Sequence, residues 1–186
     1  MRKLFFISAA ALLPSLAFGQ APRPDEPQFT SNGEMRNPRG YREWVFLSSG
    51  LGMTYGPLGA NADRENPMFD NVYVNPSAYR SFLANGSWPD KTVLVLEIRA
   101  SQSKESINQG GHFQTGLVGI EVHAKDTRLP GGWAFYDFSG SREMAKPIPP
   151  SASCYSCHAE HGALDTTFVQ FYPTLLGIAQ SKHTIH

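Results

Sequence analysis

Both cysteines of the chain fall in one five-residue stretch, Cys154-Tyr155-Ser156-Cys157-His158, and 28 residues follow it. The pattern is C-x-x-C-H, the attachment sequence of a c-type haem. Its spacing has a chemical reason. Two thiols one helical turn apart can each add to a vinyl group on one porphyrin edge, and the adjoining imidazole then comes under the ring as a ligand to iron. With two cysteines and six histidines in 186 residues, the pattern arises by chance in roughly 3 of 10,000 shuffled chains. Two other uses of the pair compete with it. A redox-active C-x-x-C opens a helix inside a βαβ unit, and no such unit is legible. A zinc site needs four ligands, and Cys154, Cys157 and His161 leave it one short. The expectation is one covalent haem c, with Cys154 and Cys157 as its attachment points and His158 as the proximal ligand of the iron.

The place of the motif narrows the class of cytochrome. A small electron carrier has its haem motif early and an axial methionine far downstream. Here no methionine follows His158; Met35, Met53, Met68 and Met144 all precede it and read as core filler or loop. A four-helix-bundle cytochrome also ends in C-x-x-C-H, but the residues before this motif read as strands. What remains is a β-rich domain closed by a haem helix, with no evident sixth ligand and one side of the iron open.

Four segments carry strand patterns. Asn71 to Val74 is short, and Thr92 to Arg99 is apolar on both faces, as a central strand is. From Leu117 to Lys125 the alternation places Val118, Ile120, Val122 and Ala124 inside and Glu121, His123 and Lys125 outside. Trp133 to Phe138 is aromatic. Helices are few and short. Tyr41, Trp44, Val45 and Ser48 have helical spacing, and glycines from Gly50 to Gly59 follow as a loop. Asn75-Pro76 reads as a cap followed by proline in the first turn, Tyr79, Phe82 and Leu83 as the apolar stripe, and Asn85-Gly86 as the stop. Asp165 reads as the cap of a last helix bearing Phe168, Phe171, Tyr172, Leu175 and Ala179, split by Pro173. Turn-rich links between the strands favour an α+β fold with a mainly antiparallel sheet and a C-terminal haem-attachment helix.

Residues 1–19 read as a secretory signal: Arg2 and Lys3, an apolar run from Leu4 to Leu13, and Ala17-Phe18-Gly19 as the cleavage site. That run is shorter than the roughly 20 residues a spanning helix needs. Export places the chain in the periplasm, where haem is attached to thiols. Residues 20–38, rich in proline, read as a flexible arm, residues 39–180 as the haem domain and residues 181–186 as a frayed tail. With 16 basic and 16 acidic side chains, the charge balance excludes a strongly basic nucleic-acid binder.

Several segments together resemble one family. Tyr41-Arg42-Glu43-Trp44, Val72-Tyr73-Val74-Asn75-Pro76, Pro89-Asp90-Lys91-Thr92-Val93 and Trp133-Ala134-Phe135-Tyr136 precede the haem motif. Phe168-Val169-Gln170-Phe171-Tyr172-Pro173-Thr174-Leu175 follows it. In this order they resemble the cytochrome P-460 family, which includes the cytochromes c-prime-beta. The resemblance implies a mainly antiparallel β domain, a homodimer, and a five-coordinate haem c facing a distal pocket. It also implies hydroxylamine oxidation in the founding members and nitric oxide binding in the c-prime-beta branch. In the hydroxylamine-oxidising members a strand lysine is bonded to the porphyrin, and Leu96 takes its place here. Lys91 lies at an odd offset from it and so on the other strand face, and Lys104 lies past the strand end.

Other polar residues receive plainer expectations. His112 reads as a loop histidine, His123 and His161 as surface groups, and His183 and His186 as part of the tail. Glu97, Glu121 and Asp137 are strand carboxylates able to act as a general base towards a nitrogen substrate, and the sequence does not choose among them. Trp44, Phe46, Phe69, Tyr73, Phe113 and Phe135 read as core or as distal wall. Three functions follow: an open-haem binder of a small diatomic such as nitric oxide, an oxidoreductase acting on hydroxylamine, and a periplasmic electron-transfer cytochrome with a redox partner protein. Leucine at position 96 weakens the second.

Overall fold

The computed structural model describes residues 24–55, 63–140 and 142–185. The signal segment therefore lies outside the described residues, as does part of the glycine loop. Among the described residues, seven strands and three α-helices form an α+β domain. The strands are β1 (Met35–Arg36), β2 (Val45–Leu51), β3 (Phe69–Val74), β4 (Val93–Gln102), β5 (Phe113–Lys125), β6 (Trp133–Asp137) and β7 (Met144–Ala145). The helices are α1 (Pro76–Asn85), α2 (Ser153–His161) and α3 (Pro173–Ser181). β2 to β6 make one sheet in sequence order, antiparallel at each step, with β4 at its centre. β1 and β7 form a separate two-stranded ribbon. The central place of β4 matches its continuous apolar run.

Cross-strand register assigns each residue to a face. Val93, Val95 and Glu97 of β4 stand opposite Ala124, Val122 and Ile120 of β5. This face packs with Met35, Tyr41, Tyr136, Phe138 and Ala145 in one core. The other face carries Leu94, Leu96 and Ile98, opposite His123, Glu121 and Gly119. Its upper end, at Leu94, is covered by Phe82 of α1, Leu175 of α3 and the flanking Trp88, Val169 and Tyr172. Its lower end, with Leu96, Ile98 and Glu121, is only half buried or exposed. That strip lies beside α2.

α1 begins at Pro76 and stops at Gly86, whose φ of +73 is the left-handed conformation glycine adopts without strain. Asn75 does not cap the helix with its side chain. It donates to Lys91 O and accepts from Val93 N–H, fastening the helix start to β4. Asp25 supplies the cap from outside, its Oδ2 accepting from Ser77 N–H at 2.7 Å. The 20–38 segment is thus docked over its described part: Phe29 bridges Met35, and Met35 is fully buried. Proline there selects an extended backbone, which strand pairing then uses.

Four further expectations need correction. Tyr41–Glu43 is a single 3-10 turn, and Val45 onward is strand, because Val45 and Phe46 find partners in β3. Val118 and Leu83 are exposed, since neither lies under a covering element. Asp165 caps no helix; it sits at φ +48 in a tight turn, and the chain resumes as a 3-10 turn at Val169–Phe171 and α3 from Pro173. The tail is held down: Thr184 Oγ1 donates to Gly86 O at 2.5 Å, and Ile185 packs on the core. His186 lies outside the described residues.

Candidate functional site

α2 carries Cys154, Cys157 and His158 at i, i+3 and i+4, which places all three on one helix face. All three are half buried and both thiols are free. The helix is seated by Tyr155, whose hydroxyl donates to Ile148 O at 3.1 Å and whose ring meets Phe135 edge-on at 4.8 Å. Ile148 is itself hydrogen-bonded to Phe135, so β6 and the proline link fix the helix start. The Cys154 thiol is pushed up, first by burial and further by the charge of nearby Glu121.

His158 is held from three sides. Its ring lies 4.6 Å from Phe135, 4.4 Å from Phe168 and 5.1 Å from His123, centre to centre. Nδ1 lies 2.8 Å from Thr166 O. A carbonyl only accepts, so Nδ1 carries the proton and Nε2 holds the free lone pair that a metal ligand needs. Burial lowers the pKa of His158, and the Thr166 hydrogen bond offsets this only in part. The ring is neutral at pH 7.

Thr166 belongs to a turn in which Thr167 N–H donates to Leu164 O at 2.8 Å, with Asp165 at φ +48 and Thr166 at φ +61 between them. Two positive φ angles mark a type I′ turn, normally built from Gly, Asn or Asp. A left-handed residue other than glycine costs about 1–2 kcal/mol. Gly162 makes the close approach possible: a Cβ there would stand 2.6 Å from His158 O and 2.8 Å from Thr166 C.

His123 overturns its assignment to the surface. It is 7% exposed, stacked on Phe135 at 4.0 Å and 11°, and 4.3 Å from Trp133. Burial first, then the neighbouring His158, keep it neutral. Its Nε2 and the Thr166 Oγ1 are buried without hydrogen-bond partners, and both flank His158. Such orphans are rare in a finished site and accord with a group that binds there.

The carboxylates divide by face. Glu97 points away from α2, buried at 2% exposure among Tyr41, Arg42, Arg99 and Asn71. It is a structural anion and not a candidate base. Glu121 lies on the strip facing α2, opposite Leu96 on one side and Asp137 on the other. Its side chain stays open to solvent, but the protein crowded around its carboxyl desolvates it and, with Asp137 and Asp70, raises its pKa. Asp137 itself is held below the usual range, chiefly by its hydrogen bond from Ser139. Asp70, unmarked in the sequence analysis, stands opposite Ile98 on the same strip, and burial pushes it up to about 6. Tyr55 approaches from the loop after β2, and burial first, then nearby Asp70, raise its pKa. Register on β3 identifies Asp70, but register is known only once strands are paired.

Of the other candidates, Phe135 and Phe168 reach the site. Trp44 and Tyr73 pack on the opposite core, and Phe46 leans on Tyr73 there. Phe69 faces Arg99 across β4 and Phe113 faces Gln102. His112 lies 2.9 Å from Glu65 O in the loops, and His161 is exposed as expected. Of the methionines, Met35 is buried in the core, Met144 lies in β7 and Met68 is exposed.

The residues fit a haem. One helix face offers two thiols and a neutral, oriented imidazole, and beside it lies an uncovered, partly apolar strip of sheet. A search among curated proteins finds no match to the chain. The family model described as cytochrome P460 matches residues 38–169, most of the chain and all of the site except the last helix. The chain therefore belongs to the cytochrome P460 family of haem cytochromes.

Proposed function

We propose that the protein is an exported, periplasmic mono-haem c-type cytochrome that binds or converts small nitrogen compounds, nitric oxide and hydroxylamine, at an open distal side. Cys154 and Cys157 supply the two thioethers and His158 the proximal ligand. The observation that carries this reading is the single face shared by Cys154, Cys157 and His158, with Nδ1 of His158 committed to Thr166 O. When bound, the haem iron supplies the electron transfer and the coordination of a small ligand.

The chain's own groups shape what reaches that iron. Leu96, half-buried Val72 and Ile98 keep part of the strip apolar, suited to a small neutral ligand. Asp70, raised to about 6, and Glu121, also raised above its ordinary value, are the carboxylates of the strip placed to take a proton. Leu96 offers no amine, so the binder takes precedence over the hydroxylamine oxidase. Among the described residues no helix is long and apolar enough to cross a membrane. A homodimer and a redox partner protein complete the proposal, the first measurable by sedimentation.

The electronic spectrum of the ferrous protein tests the reading. A five-coordinate haem gives a broad high-spin band, as expected here. Sharp low-spin bands would return the electron carrier to first place, and a strongly red-shifted main band would return the cross-linked enzyme.

A further inference from the structure

The carbonyl that meets His158 comes from a turn that does not hold its shape cheaply. Thr166, a β-branched residue at φ +61, follows Asp165 at φ +48, a combination such residues avoid. The turn is supported on both flanks of Thr166 by one side chain from the sheet. Lys125, at the end of β5, donates through Nζ to Asp165 Oδ2 at 2.7 Å and to Trp88 O at 2.9 Å. Trp88 in turn donates through Nε1 to Thr167 Oγ1 at 2.8 Å. The same ammonium lies 5.4 Å from the centre of the Trp133 ring, against which His123 packs.

We propose that Lys125 is a positioning residue for the proximal ligand: by tying Asp165 and the Trp88 carbonyl to the sheet it holds Thr166 O on His158 Nδ1 and so sets the strength of the iron–histidine bond. This rests on His158 being the proximal ligand, as proposed above. The ion pair is 22% and 38% exposed, and pairs of that kind contribute little to fold stability. Its place, beside the carbonyl that orients His158, is what gives it a role. A hydrogen bond on the far nitrogen of a ligating imidazole fixes the ring and raises its basicity. Without the clamp the turn relaxes, that bond lengthens, and His158 becomes a weaker donor.

The test uses matured, haem-loaded protein and two readouts, the iron–histidine stretching band of the ferrous form and the midpoint potential. Lys125→Met should move the band to lower frequency and raise the potential. Asp165→Asn should do the same, and asparagine tolerates positive φ, so the turn is retained. Lys125→Arg keeps the charge and should restore both values. An unchanged band in Lys125→Met and Asp165→Asn overturns the proposal. A shift in Lys125→Arg as large as that in Lys125→Met also overturns it, because the effect then belongs to packing on Trp133. His158→Gly separates the two levels. A band that survives without His158 removes the ligand assignment and the clamp with it. A band lost in His158→Gly but untouched in Lys125→Met shows that the clamp alone is wrong.

Discussion

Replacing Leu96 by lysine places an amine on the uncovered strip, where the family resemblance locates the cross-linking residue. Leu96 is half buried on the central strand, with Val72 opposite it on β3 and Glu121 opposite it on β5. Directly opposed Cβ atoms lie about 4.5–5.5 Å apart, so the new Nζ reaches the Glu121 carboxylate. At about 4 Å and an effective dielectric of ~20 their attraction is about 4 kcal/mol before desolvation. Desolvation and side-chain ordering on a half-open surface leave a net effect of roughly 1 kcal/mol or less. The variant should therefore fold, with Tm within about 2–4 °C of the wild type. The cation should also bring the raised Glu121 pKa down. Treatment of the matured variant with hydrogen peroxide supplies the two-electron oxidation that joins amine nitrogen to porphyrin carbon with loss of two hydrogens. Mass spectrometry of haem peptides should find the segment around position 96 joined to residues 154–158 through haem, together with a red-shifted main band and hydroxylamine oxidation. Wild-type peptides should carry two thioethers only. A third attachment in the wild type would refute the reasoning. So would a variant that folds, binds haem and yields no cross-link, since position 96 would then not face the ring. Lys91 is a poor substitute: it is engaged with buried Asp126 at 2.6 Å.

Cys154→Ser with Cys157→Ser should turn acid-acetone-resistant haem into extractable haem, read from the absorbance of the organic phase. Glu97→Gln removes a buried anion from two arginines and a tyrosine and should cost about 3 kcal/mol, the low end for a broken buried pair because Arg42 is half exposed. Burial raises the Glu97 pKa, but hydrogen bonds from Tyr41, Arg99 and Arg42 outweigh it and the net shift is downward. Its stabilisation is thus full above the unfolded value and lost as pH falls through the lower folded one. The Tm gap between variant and wild type should shrink on acidification, and a gap constant with pH would exclude this account. Asp70 has the opposite sign. Its folded value of about 6 lies above 3.8, so its ionised form opposes folding at pH 7. Asp70→Asn should raise Tm at pH 7, with the advantage vanishing between about pH 6 and pH 4; thermal scans across that range measure it.

The haem motif was legible because its chemistry is local: thioethers and ligand must come from i, i+3 and i+4 of one helix, whatever that helix packs on. The strands were legible because side chains alternate with period two, and Asn75-Pro76 and Gly86 because backbone sterics act within a few residues. Alternation also placed Leu96, Glu121 and His123 on one face and Glu97 on the other. It did not say which parts of a face are covered. His123 shares parity with exposed Glu121, yet it is buried, because a segment more than 30 residues later folds back across only that end of the strand. The same return brings Thr166 O to His158 and Lys125 to Asp165, contacts made between residues that no local pattern links. Local sterics and covalent chemistry are written into short stretches of sequence. The pKa of Asp70, the burial of His123 and the clamp on the proximal carbonyl depend on distances and desolvation, which exist only once the sheet and the C-terminal segment have met.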